Sequence, residues 1–313
     1  MQSFKGRTAV ITGAGSGFGL ELARLVAREG MNCVLADVQQ DALDRAAAEI
    51  AALGVQVLAF RLDVSKAAEV EALGAATLQR FGAPNLVFNN AGVGGGGLIW
   101  EHSVEDWEWV IGVNLMGVAH GVRVYTPMML EAAGRDPGYE GHIVNTASMA
   151  GLLNAPNMGV YNVSKHAVVA LSETLYQDLR LVTDRIGASV LCPFFVPTGI
   201  TRSARNRPAD LPPSQQKTQS QIVAQAMSDK AVGSGKVTAV QVAQFVVDAV
   251  REGRFYIYSH PHALRSVQTR MEDIVTGRNP TDPFAAKPEI AEQLRAALRG
   301  AQSLRQTGSR PLD

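Results

Sequence analysis

Seven short apolar runs recur along the chain, and helical stretches separate most of them. The runs are Thr8–Thr12, Asn32–Asp37, Val55–Leu62, Leu86–Asn89, His142–Ala147, Ala188–Pro193 and Phe255–Ser259. They are apolar without regular alternation, so each strand is expected to be covered on both faces. The helical stretches lie near Phe18–Gly30, Asp41–Leu53, Ala67–Phe81, Val104–Leu130, Met158–Thr183 and Ala239–Glu252. Ser103, with Asp106 three residues later, reads as a cap opening the fourth. Strand, helix, strand repetition gives parallel strands joined by right-handed crossovers. A doubly wound α/β fold follows before any motif is considered.

Two regions break the pattern. Thr198 to about Val237 is rich in Pro, Ser, Gln and Arg, and reads as a lid or a disordered insertion. Its cations are Arg202, Arg205, Arg207, Lys217, Lys230 and Lys236, a solvated face or an anchor for an anionic substrate. An extension follows His260. It carries a helical pattern at Leu264–Val275, a Pro-rich linker, a short helix with Ile290, Leu294 and Leu298 on one stripe, and a frayed tail after Gly300. The expected division is a catalytic domain at 1–260, with its lid at about 198–237, and a helical extension at 261–313.

Composition narrows the partners. A chain of 313 residues, 46% of them hydrophobic, can bury one large core. The 29 basic and 29 acidic residues balance, and no basic stripe stands out, which argues against nucleic acid. No stretch of about 20 apolar residues is present to span a membrane. Cys33 and Cys192 lie in apolar runs and read as buried thiols. The N-terminus runs into a strand pattern without a signal-peptide core, so the cytoplasm is the expected compartment. His260 and His262 lack accompanying cysteines or carboxylates, so no metal is expected.

The first strand ends in Thr12-Gly13-Ala14-Gly15-Ser16-Gly17-Phe18-Gly19, and a helix follows. Glycines let the backbone turn tightly against a pyrophosphate, and the helix N-terminus offers free N–H groups. The strict G-x-G-x-x-G spacing fails, because Phe18 stands where the third glycine would fall. The second strand ends at Asp37, where an acid can accept hydrogen bonds from an adenosine ribose and repel a 2′-phosphate. No Lys or Arg occupies Ala14–Phe18 or Val38–Gln40, so NAD is favoured over NADP.

Tyr161 and Lys165 are spaced i, i+4 and share a helix face. A fixed ammonium stabilises a phenolate and lowers the phenol pKa from its usual value near 10. Ser148 follows the fifth strand, and Asn89-Asn90-Ala91-Gly92 closes the fourth. Catalytic groups in open α/β sheets gather at such carboxyl ends. Asn114 sits mid-helix, where a buried amide needs partners.

Taken together, the Thr12–Gly19 loop, Asp37, Asp63, Asn89–Gly92, Asn114, Ser148 and Tyr161–Lys165 resemble the classical short-chain dehydrogenase/reductase family over about residues 5–260. The resemblance implies a Rossmann-type parallel sheet and an NAD-dependent alcohol dehydrogenase or ketone reductase. It implies catalytic roles for Asn114, Ser148, Tyr161 and Lys165, with Asn114 anchoring a water relay to Lys165. It implies cofactor contacts from Gly13, Ser16, Gly17, Phe18, Gly19, Asp37, Asp63, Val64, Asn90, Ala91, Gly92, Tyr161, Lys165, Pro193, Val196 and Thr198. One departure is Phe194, where family members carry glycine after Pro193. The extended C-terminal half is similar to members acting on bulky aromatic alcohols, including lignin-derived aryl ethers.

The substrate wall is expected from Ser148, Met149, Leu152, Leu153, Phe194 and Phe195. Gly94–Gly97, without side chains, is expected to leave volume beside it, or to be a flexible loop with no substrate role. Valines on more than one face of the fourth and fifth helices, among them Val110, Val118, Val168 and Val169, suggest a homodimer or homotetramer. Two alternatives stay open: an NAD-binding regulator or scaffold without turnover, and a reductase whose anionic substrate is held by lid arginines.

Overall fold

The computed structural model describes residues 1, 3–213 and 216–307, with side chains to Arg299. Seven strands form one parallel sheet: β1 (Thr8–Thr12), β2 (Asn32–Asp37), β3 (Val57–Arg61), β4 (Leu86–Asn89), β5 (Gly141–Thr146), β6 (Ile186–Cys192) and β7 (Tyr256–Tyr258). Their order is β3-β2-β1-β4-β5-β6-β7. β1 pairs with both β2 and β4, so the winding reverses beside it, and a crevice opens there at the strands' carboxyl ends.

Ten helices are described: α1 (Gly17–Arg28), α2 (Gln40–Ala51), α3 (Ala67–Phe81), α4 (Val104–Ile111), α5 (Gly117–Arg135), α6 (Gly159–Val182), α7 (Gln219–Gly233), α8 (Ala239–Glu252), α9 (Leu264–Thr276) and α10 (Pro288–Thr307). Alternate strand residues feed opposite layers. Ala9 and Ile11 join Leu22, Val26 and Val246 under α1 and α8, while Val10 joins Leu73, Tyr125 and Leu175 under α3, α5 and α6. Every residue of β1 is buried, as its continuous apolar run requires. β3 is shorter than the sequence suggests and partly exposed, because it is the sheet edge.

Ser103 and Asp106 form a reciprocal capping box at α4. The single helix expected over Val104–Leu130 is instead α4 and α5 joined through a π-turn at Gly112–Met116, which holds Asn114. π-turns of this kind recur at functional sites.

The insertion is structured over its described residues. A 3-10 segment at Gly199–Asn206 precedes α7, and a Thr218–Gln221 capping box opens α7. α10 packs against α7, burying Ala291 and Leu294. Helix continues to Thr307, where a tail was expected from Gly300; positions 308–313 lie outside the described residues. Among the described residues, no helix is long and apolar enough to cross a membrane.

Candidate active site

The crevice beside β1 opens into one cleft. Gly13, Ser16, Gly17, Phe18, Asp37, Asp63, Val64, Asn90, Ala91, Gly92, Ser148, Tyr161, Lys165, Pro193, Phe194, Val196 and Thr198 all line it. Gly19 and Asn114 stand behind its wall.

The phosphate loop shows why glycine is needed. Gly13 and Gly17 have φ of +67° and +56°, where L side chains are strained. A Cβ on Gly19 would fall 2.1 Å from the Gly13 carbonyl oxygen. Gly19 therefore lets α1 start close under the loop and does not face the cleft. The Ser16 side chain makes no cap hydrogen bond, so the first turn of α1 offers unclaimed N–H donors. That donor set, at the positive end of a helix dipole, fits a dinucleotide pyrophosphate. At the end of β2, Asp37 accepts hydrogen bonds from the Gly15 and Gln39 N–H groups (both 2.9 Å), which fixes the carboxylate at the adenosine end. Its free lone pairs suit ribose hydroxyls.

Thr12, expected only as the start of the phosphate loop, ties the two sides of the crevice. Its hydroxyl accepts from the Asn90 and Ala91 N–H groups (3.0 and 3.1 Å), and its carbonyl accepts from Asn90 Nδ2 at 2.9 Å.

The catalytic candidates converge from three elements. Ser148 opens a 3-10 turn at Met149–Gly151; its Oγ accepts from the Ala150 N–H at 3.1 Å. A Cβ on Gly151 would lie 2.5 Å from the Lys165 carbonyl oxygen, so only glycine lets this turn seat against α6. Lys165 is buried, and its ammonium donates to the Thr146 carbonyl at 2.9 Å. Burial lowers its pKa to about 8. Burial also pushes the Tyr161 phenol up, and a hydrogen bond with Ser148 opposes that shift. The expected lowering by Lys165 is not seen in the protein alone. The ammonium lies 5.7 Å from the Tyr161 ring centroid, and burial dominates.

Asn114 clamps Val93 through both main-chain groups, accepting its N–H at 2.8 Å and donating to its carbonyl at 3.0 Å. Its other amide hydrogen goes to Ser164 Oγ. Only Oδ1 keeps a spare lone pair; Oδ1 and Lys165 Nζ both lie within 4 Å of where a Gly92 Cβ would stand.

The substrate side departs from expectation at two places. Met149 and Leu152 are buried with Val168, Val169 and Val190 in the core and do not line the cleft; Phe195 does not line it either. The wall is instead Phe194 with Val93, Val113, Ile200 and Val232. The second departure is the glycine run. A Cβ on Gly96 would fall 2.6 Å from Ala224 Cβ, one on Gly97 2.9 Å from Gln221, and one on Gly94 3.1 Å from the Ile200 carbonyl. The glycines admit the lid rather than leaving open volume.

The lid is latched there. Arg207 pairs with Asp106 at 2.5 Å and lies 5.1 Å over the Trp109 ring. Asp106 also accepts from Gln221 Nε2 of α7, and hydrogen bonding from His102 and Arg207 holds its carboxyl well below the usual range. Leu98 N–H donates to Ser220 Oγ, which donates to Glu101. Among the lid residues, Thr198, Gly199, Ile200, Ser203, Arg205, Asn206 and Val232 line the cleft, and beyond Thr198 a run of polar sequence gave no sign of which would do so.

The model of the short chain dehydrogenase family matches residues 7–209. A solved short-chain dehydrogenase/reductase from Burkholderia phymatum, in complex with NAD, is 53% identical, covers 91% of this chain and all of that one, and superposes with a TM-score of 0.87. A 1-deoxy-11-beta-hydroxypentalenate dehydrogenase of Streptomyces exfoliatus is 35% identical, with 86% of this chain and 88% of that one covered. A C alpha-dehydrogenase of Sphingobium sp. (strain NBRC 103272 / SYK-6) is 31% identical, with 95% and 94% covered. With a parallel sheet, a glycine phosphate loop and a matched family model, this chain belongs to the short-chain dehydrogenase family of oxidoreductases.

Proposed function

We propose that the chain transfers a hydride between NAD and a bulky, largely apolar secondary alcohol or its ketone. One observation carries this: a single cleft runs from the phosphate loop and Asp37 to Ser148, Tyr161 and Lys165. When bound, the cofactor accepts or delivers the hydride at its nicotinamide ring. Ser148 holds the substrate oxygen. Tyr161 takes the alcohol proton in oxidation and returns it in reduction. Lys165, still protonated at neutral pH, adds positive charge beside the phenolate that oxidation requires. Asn114 positions Val93 in the cleft wall, and its spare Oδ1 lone pair, near Lys165, would anchor a water relay to that lysine. Asp37 favours NAD over NADP, and a preference above about tenfold in kcat/KM is expected.

The apolar character rests on Phe194, Val93, Val113, Ile200 and Val232. Of the lid arginines, Arg207 is spent on Asp106, and Arg205 stands beside Gln39 at the Asp37 end of the cleft, so neither is suited to anchor an anionic substrate at Ser148. Comparing kcat/KM for aryl-alkyl carbinols with that for small polyols and short 2-hydroxy acids, by NADH absorbance, tests the reading. Higher efficiency with the carbinols is expected; equal or better efficiency with the polar compounds overturns the apolar pocket. NAD binding without turnover of any alcohol would favour the regulator.

The proposal extends to assembly and place. Val110, Val118, Val168 and Val169 are buried in the chain's own core, so they are not available to a partner. Met116 and Val163 remain exposed beside α5 and on α6 as the apolar contacts for a second copy. Light scattering at micromolar concentration should give a dimer or tetramer. The buried, unpaired thiols of Cys33 and Cys192 suit the cytoplasm.

A further inference from the structure

Lys165 and Arg205 are the two cations in the described wall of the cleft, and they stand toward opposite ends of it. Lys165 is committed to the catalytic end by its bond to Thr146. Arg205 comes from the lid. Its Nε donates to Gln39 Oε1 at 3.3 Å, two residues past Asp37, and its remaining bonds go to the Gly199 and Arg202 carbonyls. All three acceptors are uncharged, and none of the described ion pairs includes Arg205. The neighbouring lid residues touch the phosphate loop: Thr198 Cβ lies 3.6 Å from where a Gly17 Cβ would stand, and Arg205 lies 3.1 Å from a Cβ on Gly199. The guanidinium thus stands between Gly199, which follows the Thr198 that contacts the phosphate loop, and Gln39 at the adenosine corner. Beside it, Asn206 Oδ1 is buried without a hydrogen-bond partner, and Asn206 lines the same cleft.

We propose that Arg205 and Asn206 are cofactor-binding residues carried by the lid, Arg205 taking phosphate oxygens of the cofactor's diphosphate and Asn206 accepting a hydrogen from its adenosine. This rests on the NAD reading above. The phosphate loop brings no side-chain cation of its own, since Ala14–Phe18 holds neither Lys nor Arg. A diphosphate carries two negative charges, and a helix N-terminus answers them with about half a unit. A guanidinium offers paired donors matched to phosphate oxygens. Because Arg205 and the latch residue Arg207 share one segment, cofactor binding and lid docking support each other. The lid then closes over a loaded cleft and stays looser over an empty one.

The test is calorimetric titration of wild type, Arg205→Ala, Arg205→Lys and Asn206→Ala with NAD, ADP and adenosine at two salt concentrations. Hydrogen exchange over residues 199–211 is followed with and without ADP. Arg205→Ala should weaken NAD and ADP by about tenfold or more, leave adenosine within twofold, and reduce the salt dependence. Arg205→Lys should restore part of the loss. Asn206→Ala should weaken all three ligands. ADP should slow exchange over 199–211 in wild type but not in Arg205→Ala. Unchanged NAD and ADP affinity in Arg205→Ala, with wild type binding normally, overturns this inference alone. Failure of wild type to bind NAD overturns the cofactor reading with it.

Discussion

On the sheet side of the cleft each side chain is tied to a main-chain group, whereas the lid side is held largely by side chains bonded to one another. On the sheet side, Thr12 binds Asn90 and Ala91, Asp37 binds Gly15 and Gln39, and Lys165 binds Thr146. On the lid side, Asp106 reaches Arg207 and Gln221, and Ser220 reaches Leu98 and Glu101. The first arrangement fixes groups at strand ends and serves chemistry. The second closes a flap and serves access. Substitutions should therefore separate turnover from lid docking.

The widest separation is expected from Tyr161→Phe. It removes the proton-carrying oxygen and leaves both sides of the cleft in place. Turnover should fall by about 10² to 10⁴, with NAD affinity within a few-fold and unchanged exchange over α7. Activity within a few-fold of wild type would remove Tyr161 from the acid/base role.

Asp106→Ala should do the reverse. It leaves Arg207 unpaired in a setting where its side chain is 8% exposed. Breaking such a pair costs about 3–5 kcal/mol, and here undocking of the lid limits the loss. Exchange over 199–233 should accelerate and KM should rise, while the sheet core keeps its protection. Unchanged α7 protection would mean the latch does not hold the lid.

Gly96→Ala probes the same closure more gently. The new methyl meets Ala224, and overpacking of this kind costs about 1–3 kcal/mol. KM should rise with little change in kcat; wild-type KM would show that the loop does not seat α7.

These cases show what was legible in the sequence. The sheet, its order of elements and the residues at strand ends rest on periodicity and on motifs whose chemistry is local, so Asp37, Ser148, Tyr161 and Lys165 could be placed together. Gly94–Gly97 was legible as special but not in purpose, because what a missing side chain admits depends on Ala224 and Gln221, over 120 residues away. Met149 and Leu152 follow Ser148 directly, yet the 3-10 turn aims them into the core. The break at Gly112–Met116 left no signal beyond Asn114 itself. Arg205 could not be placed near Gln39 by any local rule.

Acid should weaken the two sides unequally. His142 is buried between β5 and β6, where burial lowers its pKa to about 3. The unfolded chain binds a proton near pH 6.5, so this contribution is complete above about 6.5 and is lost as pH falls toward 3. Between pH 7 and 5 the loss is about 2 kcal/mol, read as a lower urea midpoint. His142→Gln should flatten that dependence. The Asp106 latch, its carboxyl already held low, should keep the lid docked over the same range. A latch that opened first would invert this ordering.

The central claim is that Tyr161, half-buried in the cleft, carries the proton, and the pH profile of alcohol oxidation with NAD tests it most directly. Burial holds the phenol above its ordinary value, and oxidation needs the phenolate. The rate should therefore climb from about pH 6 to about pH 10, while ketone reduction, which uses the protonated phenol, stays nearly level over the same range. The residual rate of Tyr161→Phe should not follow the climb. A flat wild-type profile, or a Tyr161→Phe profile that rises in parallel with wild type, would contradict the account.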